Sequence, residues 1–191
     1  MYRRTLSILT LGVALCLPAP ALAQVEYHLI ATSKTSTMQK EMNEAADAGY
    51  RFGGVMGGET SFGGSEVVTV MYRGAEAEKG RFAYKLLATS KTSTMQKELQ
   101  EAGDAGYEYK GQTVYKSLFG GKEVVVILEL DRDVTDRPAY EYKLLATKKT
   151  STLDKELSEA GGAGYEFVGL TVSETAMAGS EVVAILRRRR P

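Results

Sequence analysis

The sequence predicts an α+β protein of three tandem βαββ units. Each unit is a three-stranded, mainly antiparallel sheet in the order 1-3-2 with one helix on one face. Three observations predict it. Residues 31–41, ATSKTSTMQKE, recur letter for letter at 88–98 and as ATKKTSTLDKE at 146–156. The copies open at Tyr27, Tyr84 and Tyr142, a period of 57 and then 58 residues, and a fixed period marks one supersecondary unit used repeatedly. Within each copy the apolar pattern passes from period two to a helical stripe and back, and each copy closes on a Val-rich run.

The elements follow in order, taken from the second copy. In residues 84–89, Tyr84, Leu86 and Ala88 alternate with Lys85, Leu87 and Thr89, which is a strand pattern. Ser93 followed by Gln96 reads as a capping box at a helix start. Met95, Leu99, Ala102 and Gly106 form a narrow apolar stripe, with Lys97, Glu98 and Glu101 off it. Gly106 stops the helix at C′, as Gly49 and Gly164 do in the other copies, with a tyrosine after each. A second strand follows, with Tyr107, Tyr109, Gly111 and Thr113 expected on one face. Gly120 and Gly121 turn into a third strand over 123–130. The run 124–128 is apolar without alternation, which suits a central strand buried on both faces. In the first copy Gly53, Gly54, Gly57 and Gly58 replace side chains of the second strand, which is expected to be short or bulged.

A unit of this size buries too little surface to stand alone without disulfides or metal. One helix covers one sheet face, and Val168, Leu170 and Val172 are expected on the other, so the units should pack on one another or self-associate through sheet faces or edges. Unit one is assigned to 24–73, unit two to 84–130 and unit three to 141–187, with polar linkers at 74–83 and 131–140. Residues 188–191 end the chain as a basic tail within the run 187–190, expected to be solvated.

Residues 1–23 read as a secretory signal peptide: Arg3 and Arg4, an apolar run over 6–17, and Ala21-Leu22-Ala23 before a cleavage site at Gln24. The run is too short to span a ~30 Å hydrocarbon core. Cys16, the only cysteine, leaves with it, so a periplasmic or secreted protein without disulfides is expected. Lys and Arg (24) balance Asp and Glu (24), and loss of Arg3 and Arg4 leaves a net charge of about −2. That balance argues against a nucleic-acid partner.

Tyr84, Lys85, Leu99, Gly103, Gly106, Tyr107 and Glu108 make a pattern that recurs as Tyr142, Lys143, Leu157, Gly161, Gly164, Tyr165 and Glu166. The pattern resembles the small bacterial family known as domain of unknown function 4177. Unit one departs from it at His28, Met42, Ala46 and Arg51. The resemblance implies the βαββ fold and carries no activity or catalytic residues.

Candidate chemistry is sparse. The helix-start segments Lys34-Thr35-Ser36-Thr37, Lys91-Thr92-Ser93-Thr94 and Lys149-Thr150-Ser151-Thr152 repeat unchanged. They join free amides and a positive helix end to a lysine and hydroxyls, a pattern that can hold a small anion. They lack the glycines of a nucleotide loop. Their plainer role is helix capping by Ser36, Ser93 and Ser151. Glu66, Glu123 and Glu181 open the third strands, and a hydrolase using Glu123 and Glu181 would need them in one pocket with split pKa values. Tyr107, Tyr109 and Tyr115 could stack on a ligand or pack the sheet. One histidine, His28, and no mature cysteine exclude a zinc site or a Ser-His triad repeated in each unit. No cofactor is expected. The leading expectation is a non-catalytic exported interaction protein with a protein or small anionic partner.

Overall fold

A computed structural model describes residues 24–60, 64–116, 122–175 and 179–190. The expected leader, 1–23, lies outside them. Unit one is β1 (Glu26–Thr32), α1 (Thr35–Asp47), β2 (Arg51–Thr60) and β3 (Gly64–Arg73). Unit two is β4 (Phe82–Thr89), α2 (Thr92–Asp104), β5 (Glu108–Lys116) and β6 (Lys122–Asp131). Unit three is β7 (Tyr140–Thr147), α3 (Thr150–Gly162), β8 (Glu166–Thr175) and β9 (Gly179–Arg189). The sheets run β1-β3-β2, β4-β6-β5 and β7-β9-β8, all antiparallel. The helical crossover leaves the outer strands parallel, and the third strand fits between them antiparallel to both.

The helix stops are as the sequence predicts. Gly106, at φ +85°, takes the left-handed conformation. The Tyr107 N–H donates to the Ala102 carbonyl (2.9 Å) and the Gly106 N–H to Gly103 (3.0 Å), the paired bonds of a Schellman motif. Tyr50 and Tyr165 repeat them on Ala45 and Ala160.

The helix starts correct the sequence reading. Ser36, Ser93 and Ser151 do not cap. The N-cap residues are Lys34, Lys91 and Lys149, none of which makes a side-chain cap hydrogen bond. Instead the threonine two residues earlier holds the turn: Thr32, Thr89 and Thr147 Oγ1 accept the lysine N–H at 3.1, 3.1 and 3.2 Å.

The second strands hold another correction. β5 carries a bulge between Tyr109 and Gly111, and β2 and β8 carry it at the same place. One extra residue flips the alternation. Tyr109 therefore pairs with Leu128 on the α2 face, while Gly111 and Thr113 pair with Ile127 and Val125 on the opposite one. By the same shift Leu170 and Val172 stand on the α3 face. β2 is bulged as expected but is ten residues long.

Residues 124–128 of β6 are all 0–3% exposed. Val124, Val126 and Leu128 pack with Met95, Leu99 and Ala102 of α2. Val125 and Ile127 pack with Met38, Met42 and Ala45 of α1. Sheet two is thus held between its own helix and the helix of the unit before it. Ile185 of β9 joins the α2 cluster in the same way. Each core belongs to a junction as much as to a unit, the nearest-neighbour logic of a repeat array.

Helix amides complete the junctions. Asn43 Oδ1 accepts the Tyr84 N–H (2.9 Å) and Asn43 Nδ2 donates to the Tyr84 carbonyl (2.9 Å), while Gln39 Oε1 accepts the Leu86 N–H (2.9 Å). One junction later Gln100 and Gln96 do this for β7: their Oε1 atoms accept the Tyr142 and Leu144 N–H groups, and Gln96 Nε2 donates to the Tyr142 carbonyl. The outer edges of β4 and β7 are thereby satisfied by side chains rather than by another strand, which blocks edge pairing. Gln96, expected to close a capping box, serves the next unit instead.

Candidate functional site at the unit junctions

A narrow charged cleft lies where unit one, unit two and the second linker meet. It encloses about 180 Å³ between Arg51, Glu108, Glu129, Asp131, Arg137 and Tyr140. The bulged second strands carry Arg51 and Glu108 to their first positions, beside the end of the next unit's central strand. Glu129 is 4% exposed and fully engaged. It accepts from Arg51 Nη2 (2.9 Å) and Nε (3.3 Å), from the Tyr84 hydroxyl (2.8 Å) and from Lys110 Nζ (3.3 Å). Lys110 Nζ also reaches Glu108 at 2.9 Å, and Glu108 accepts from Arg187 Nη1 at 2.6 Å. One ladder of alternating charge therefore runs Arg51, Glu129, Lys110, Glu108, Arg187 through all three units.

Two tyrosines pin the ladder. The Tyr84 hydroxyl accepts the Phe52 N–H (2.8 Å) as it donates to Glu129. The Tyr142 hydroxyl accepts the Tyr109 N–H (2.7 Å) and donates to the Tyr107 carbonyl (3.0 Å). Burial first, and nearby carboxylate charge second, push the Tyr84 hydroxyl pKa far above its ordinary value. Burial alone pushes Tyr109 up to about 12. Both hydroxyls are held neutral, and that of Tyr84 is hydrogen-bonded on both sides.

Burial alone would raise the Glu108 pKa, but hydrogen bonds from Lys110 and Arg187 outweigh it and hold the carboxyl below its ordinary value. Asp131, hydrogen-bonded by Arg81, is also lowered. A carboxylate whose folded pKa is depressed stabilises the fold above its unfolded pKa, and that contribution fades as pH falls through the folded value. Melting temperature should hold from pH 7 down to about 4.5 and then drop toward pH 3, where carboxylates protonate. Glu108→Gln should flatten that acid limb, which thermal melts across the range will show.

The sequence-predicted residues do not converge on this cleft. Lys34, Lys91 and Lys149 are exposed, as are Ser36, Ser93 and Ser151. Thr35 and Ser36 line a separate groove of about 420 Å³ against Lys85 and Leu86 of β4 and Glu98 and Glu101 of α2. Thr92 is half-buried as Thr35 is, while Thr150 is exposed. Glu123 and Glu181 are the second residue of β6 and the third of β9, on faces turned toward the preceding unit and paired in register with Tyr115 and Ser173. His28 is exposed, its ring 5.5 Å from that of Tyr50. Tyr107 and Tyr109 are partly buried in the second core; the Tyr115 side chain lies outside the described residues. Among the described residues no group of three His, Cys, Asp or Glu side chains could hold a metal ion. Nor, among those residues, is any helix long and apolar enough to cross a membrane.

The arginine run is a further correction. Arg187, Arg188 and Arg189 belong to β9, and Arg188 pairs with Glu141 (2.6 Å) and Arg190 with Asp104 (2.8 Å). Three of the four arginines, Arg187, Arg188 and Arg190, are thus ion-paired, while Arg189 and Arg190 are exposed.

The ladder was hidden in the sequence because it lies where the copies differ. Arg51, Glu108 and Glu166 share one repeat position, and Tyr72, Glu129 and Arg187 share another. Reversal of sign between successive copies is the signal that could have found it.

Gln112 stands out within the second junction. Its side-chain Oε1 and Nε2 are buried without a hydrogen-bond partner among the described residues. The copies have Val55 and Leu170 at this position. A buried unmatched amide costs about 1–3 kcal/mol. Gln112→Leu should therefore stabilise the fold by about 1–2 kcal/mol, read as a higher denaturation midpoint at unchanged slope.

No family model, curated protein or solved structure matches the chain.

Proposed function

We propose that this is a non-catalytic interaction protein, exported by its N-terminal segment, whose three units build one extended surface. One observation carries the reading. The charges of the ladder neutralise one another across the junctions, Arg51 with Glu129 and Glu108 with Arg187. Each carboxylate there with a displaced pKa is moved down, and each displaced arginine is moved up. General acid–base chemistry needs the opposite, groups brought toward neutrality. Profiling on ester, glycoside and phosphate substrates should show no turnover. Turnover abolished by Glu123→Gln or Glu181→Gln would establish the hydrolase reading in its place.

A second reading is anion binding at the three helix starts, favoured by the exposed Lys149-Thr150-Ser151 turn of α3. At unit one it is opposed by Glu98 and Glu101, which border the groove beside Thr35. Lys34→Ala, Lys91→Ala and Lys149→Ala together should weaken phosphate or polyphosphate binding in calorimetry. Identical isotherms for the parent and the triple variant would end that reading.

A further inference from the structure

At both internal junctions the same parts interlock. Phe52 at the β2 bulge reaches Gly111, where an added Cβ would lie 3.2 Å from the Phe52 ring. Tyr109 reaches Gly169 so closely that a Cβ there would lie 2.7 Å from its Cζ. Phe167 is the third such knob and Gly54 the third such seat. Phe167 is 55% exposed, and around Gly54 nothing lies within 4 Å of an added Cβ.

The rest of each end is open in the same complementary way. Tyr84 and Tyr142, each 2% exposed, dock into the unit before them, but their counterpart Tyr27 is 73% exposed. Leu29 is 62% exposed beside it, and Val70 is open where Ile127 and Ile185 are fully buried. His28, Leu29, Glu41 and Glu44 line a groove of about 650 Å³ between β1 and α1. Its counterpart in unit two, lined by Lys85, Leu86, Glu98 and Glu101, is about 420 Å³ and has the first turn of α1 in its wall. At the other end α3, Leu170 (52% exposed) and Val172 (61%) receive no following unit.

We infer that unit one of one copy docks onto unit three of a second copy, head to tail, repeating the internal junction between molecules. Phe167 seats on Gly54, the first turn of α3 enters the β1–α1 groove, and the Tyr27 hydroxyl meets the Phe167 N–H. Glu166 then faces Tyr72, a carboxylate opposite a hydroxyl donor where the internal junctions have ion pairs. Asp154 replaces Gln39 and Gln96 and keeps only their acceptor, for the Leu29 N–H. Ser158 replaces Asn43 and Gln100 and is turned to the Asp154 carbonyl (2.9 Å). The junction between molecules is therefore weaker than the internal ones. Its two surfaces differ, so it is heterologous and builds rings or open chains of copies. The inference is independent of any ligand of the helix starts.

The test uses the full chain, expressed with its own N-terminal segment so that it is processed as the cell processes it. Sedimentation velocity should show mass rising with concentration up to about 100 µM, well above a micromolar Kd. Gly54→Leu fills the seat and Phe167→Ser removes the knob. Both sites are open in the single molecule, so each variant should melt as the parent does yet remain monomeric. Mixed, they should form a 1:1 dimer, because one has a free tail and the other a free head. Asp154→Gln restores the amide and should tighten association several-fold. A parent that stays monomeric overturns the inference. So does self-association of either blocked variant at parental strength, or failure of the mixture to pair. Unchanged association in Asp154→Gln removes α3 from the junction.

Discussion

Gly103→Ala is expected to destabilise the protein by about 3 kcal/mol, although a glycine-to-alanine change inside a helix ordinarily stabilises by nearly 1 kcal/mol. A Cβ at Gly103 would overlap the Tyr140 carbonyl oxygen and come within 2.8 Å of the Tyr142 ring. Backbone cannot rotate away as a flexible side chain can. Helix α2 would have to withdraw from β7, loosening the Gln96 and Gln100 hydrogen bonds that join units two and three. The same substitution at Gly161, the equivalent position of α3, meets nothing within 4 Å. There Ala should stabilise by about 0.5–1 kcal/mol through helix propensity alone. Denaturant titrations of the two variants should move in opposite directions, and equal shifts would mean that helix and strand do not touch as described.

Glu129→Ala is expected to cost about 3 kcal/mol, the scale on which removing one partner strands the others of a buried cluster. Arg51, Lys110 and the Tyr84 hydroxyl all lose an acceptor. Arg51 is 43% exposed and can turn to water, which holds the loss near the lower end of that scale. The cost belongs to the stranded donors and not to any large net value of the ion pairs. Glu129→Leu combined with Arg51→Met and Lys110→Met should therefore recover most of the stability. Breaking the exposed helical pairs Lys40–Glu44 or Lys155–Glu159 should change the midpoint little. A Glu129→Ala midpoint as small in its shift as those would show that the ladder is not buried in solution.

The charge ladder also orders the array. Arg51 meets Glu129 at the first junction, and Glu108 meets Arg187 at the second. Docking unit three directly on unit one would set Arg187 against Arg51. Like charges in a half-buried site oppose that arrangement, so near-identical copies are kept in sequence. The linkers reinforce this order. The Gly80 N–H donates to the Ala46 carbonyl (3.1 Å), Arg81 pairs with Asp131 (2.8 Å), and Arg132 with Asp47 (3.2 Å).

Much of one unit was legible in the sequence because its signals are local. Gly106 and Tyr107 stop α2 through bonds that reach only five residues back. The unbroken run 124–128 marks a central strand because burial on both faces leaves no polar position. The N-cap falls two residues before the expected one: Ser93 lies inside the first turn, Lys91 is the N-cap, and the Thr89 hydroxyl, which holds the turn, lies outside the capping pattern. The bulge at Lys110 could not be read, since Lys110 stands where β2 has Gly53 and leaves no glycine mark at the extra residue, yet it reverses the faces of Tyr109 and Gly111. The proposed anion segments were visible as repetition. Their packing against the next unit was not, because it depends on how two units meet.

The sequence by itself determined the unit: three copies, each βαββ, each with a glycine helix stop and an apolar central strand, fixed by periodicity and backbone chemistry within about fifty residues. Only the tertiary structure decided that the cores lie between units, that Gln96 and Gln100 serve the next strand, and that Gly103 is forbidden a side chain while Gly161 is not. The physical reason is that identical local sequence meets different surroundings at the start, the middle and the end of the array. Desolvation and contact are set by the neighbour, and the sequence of one unit does not specify which neighbour it has.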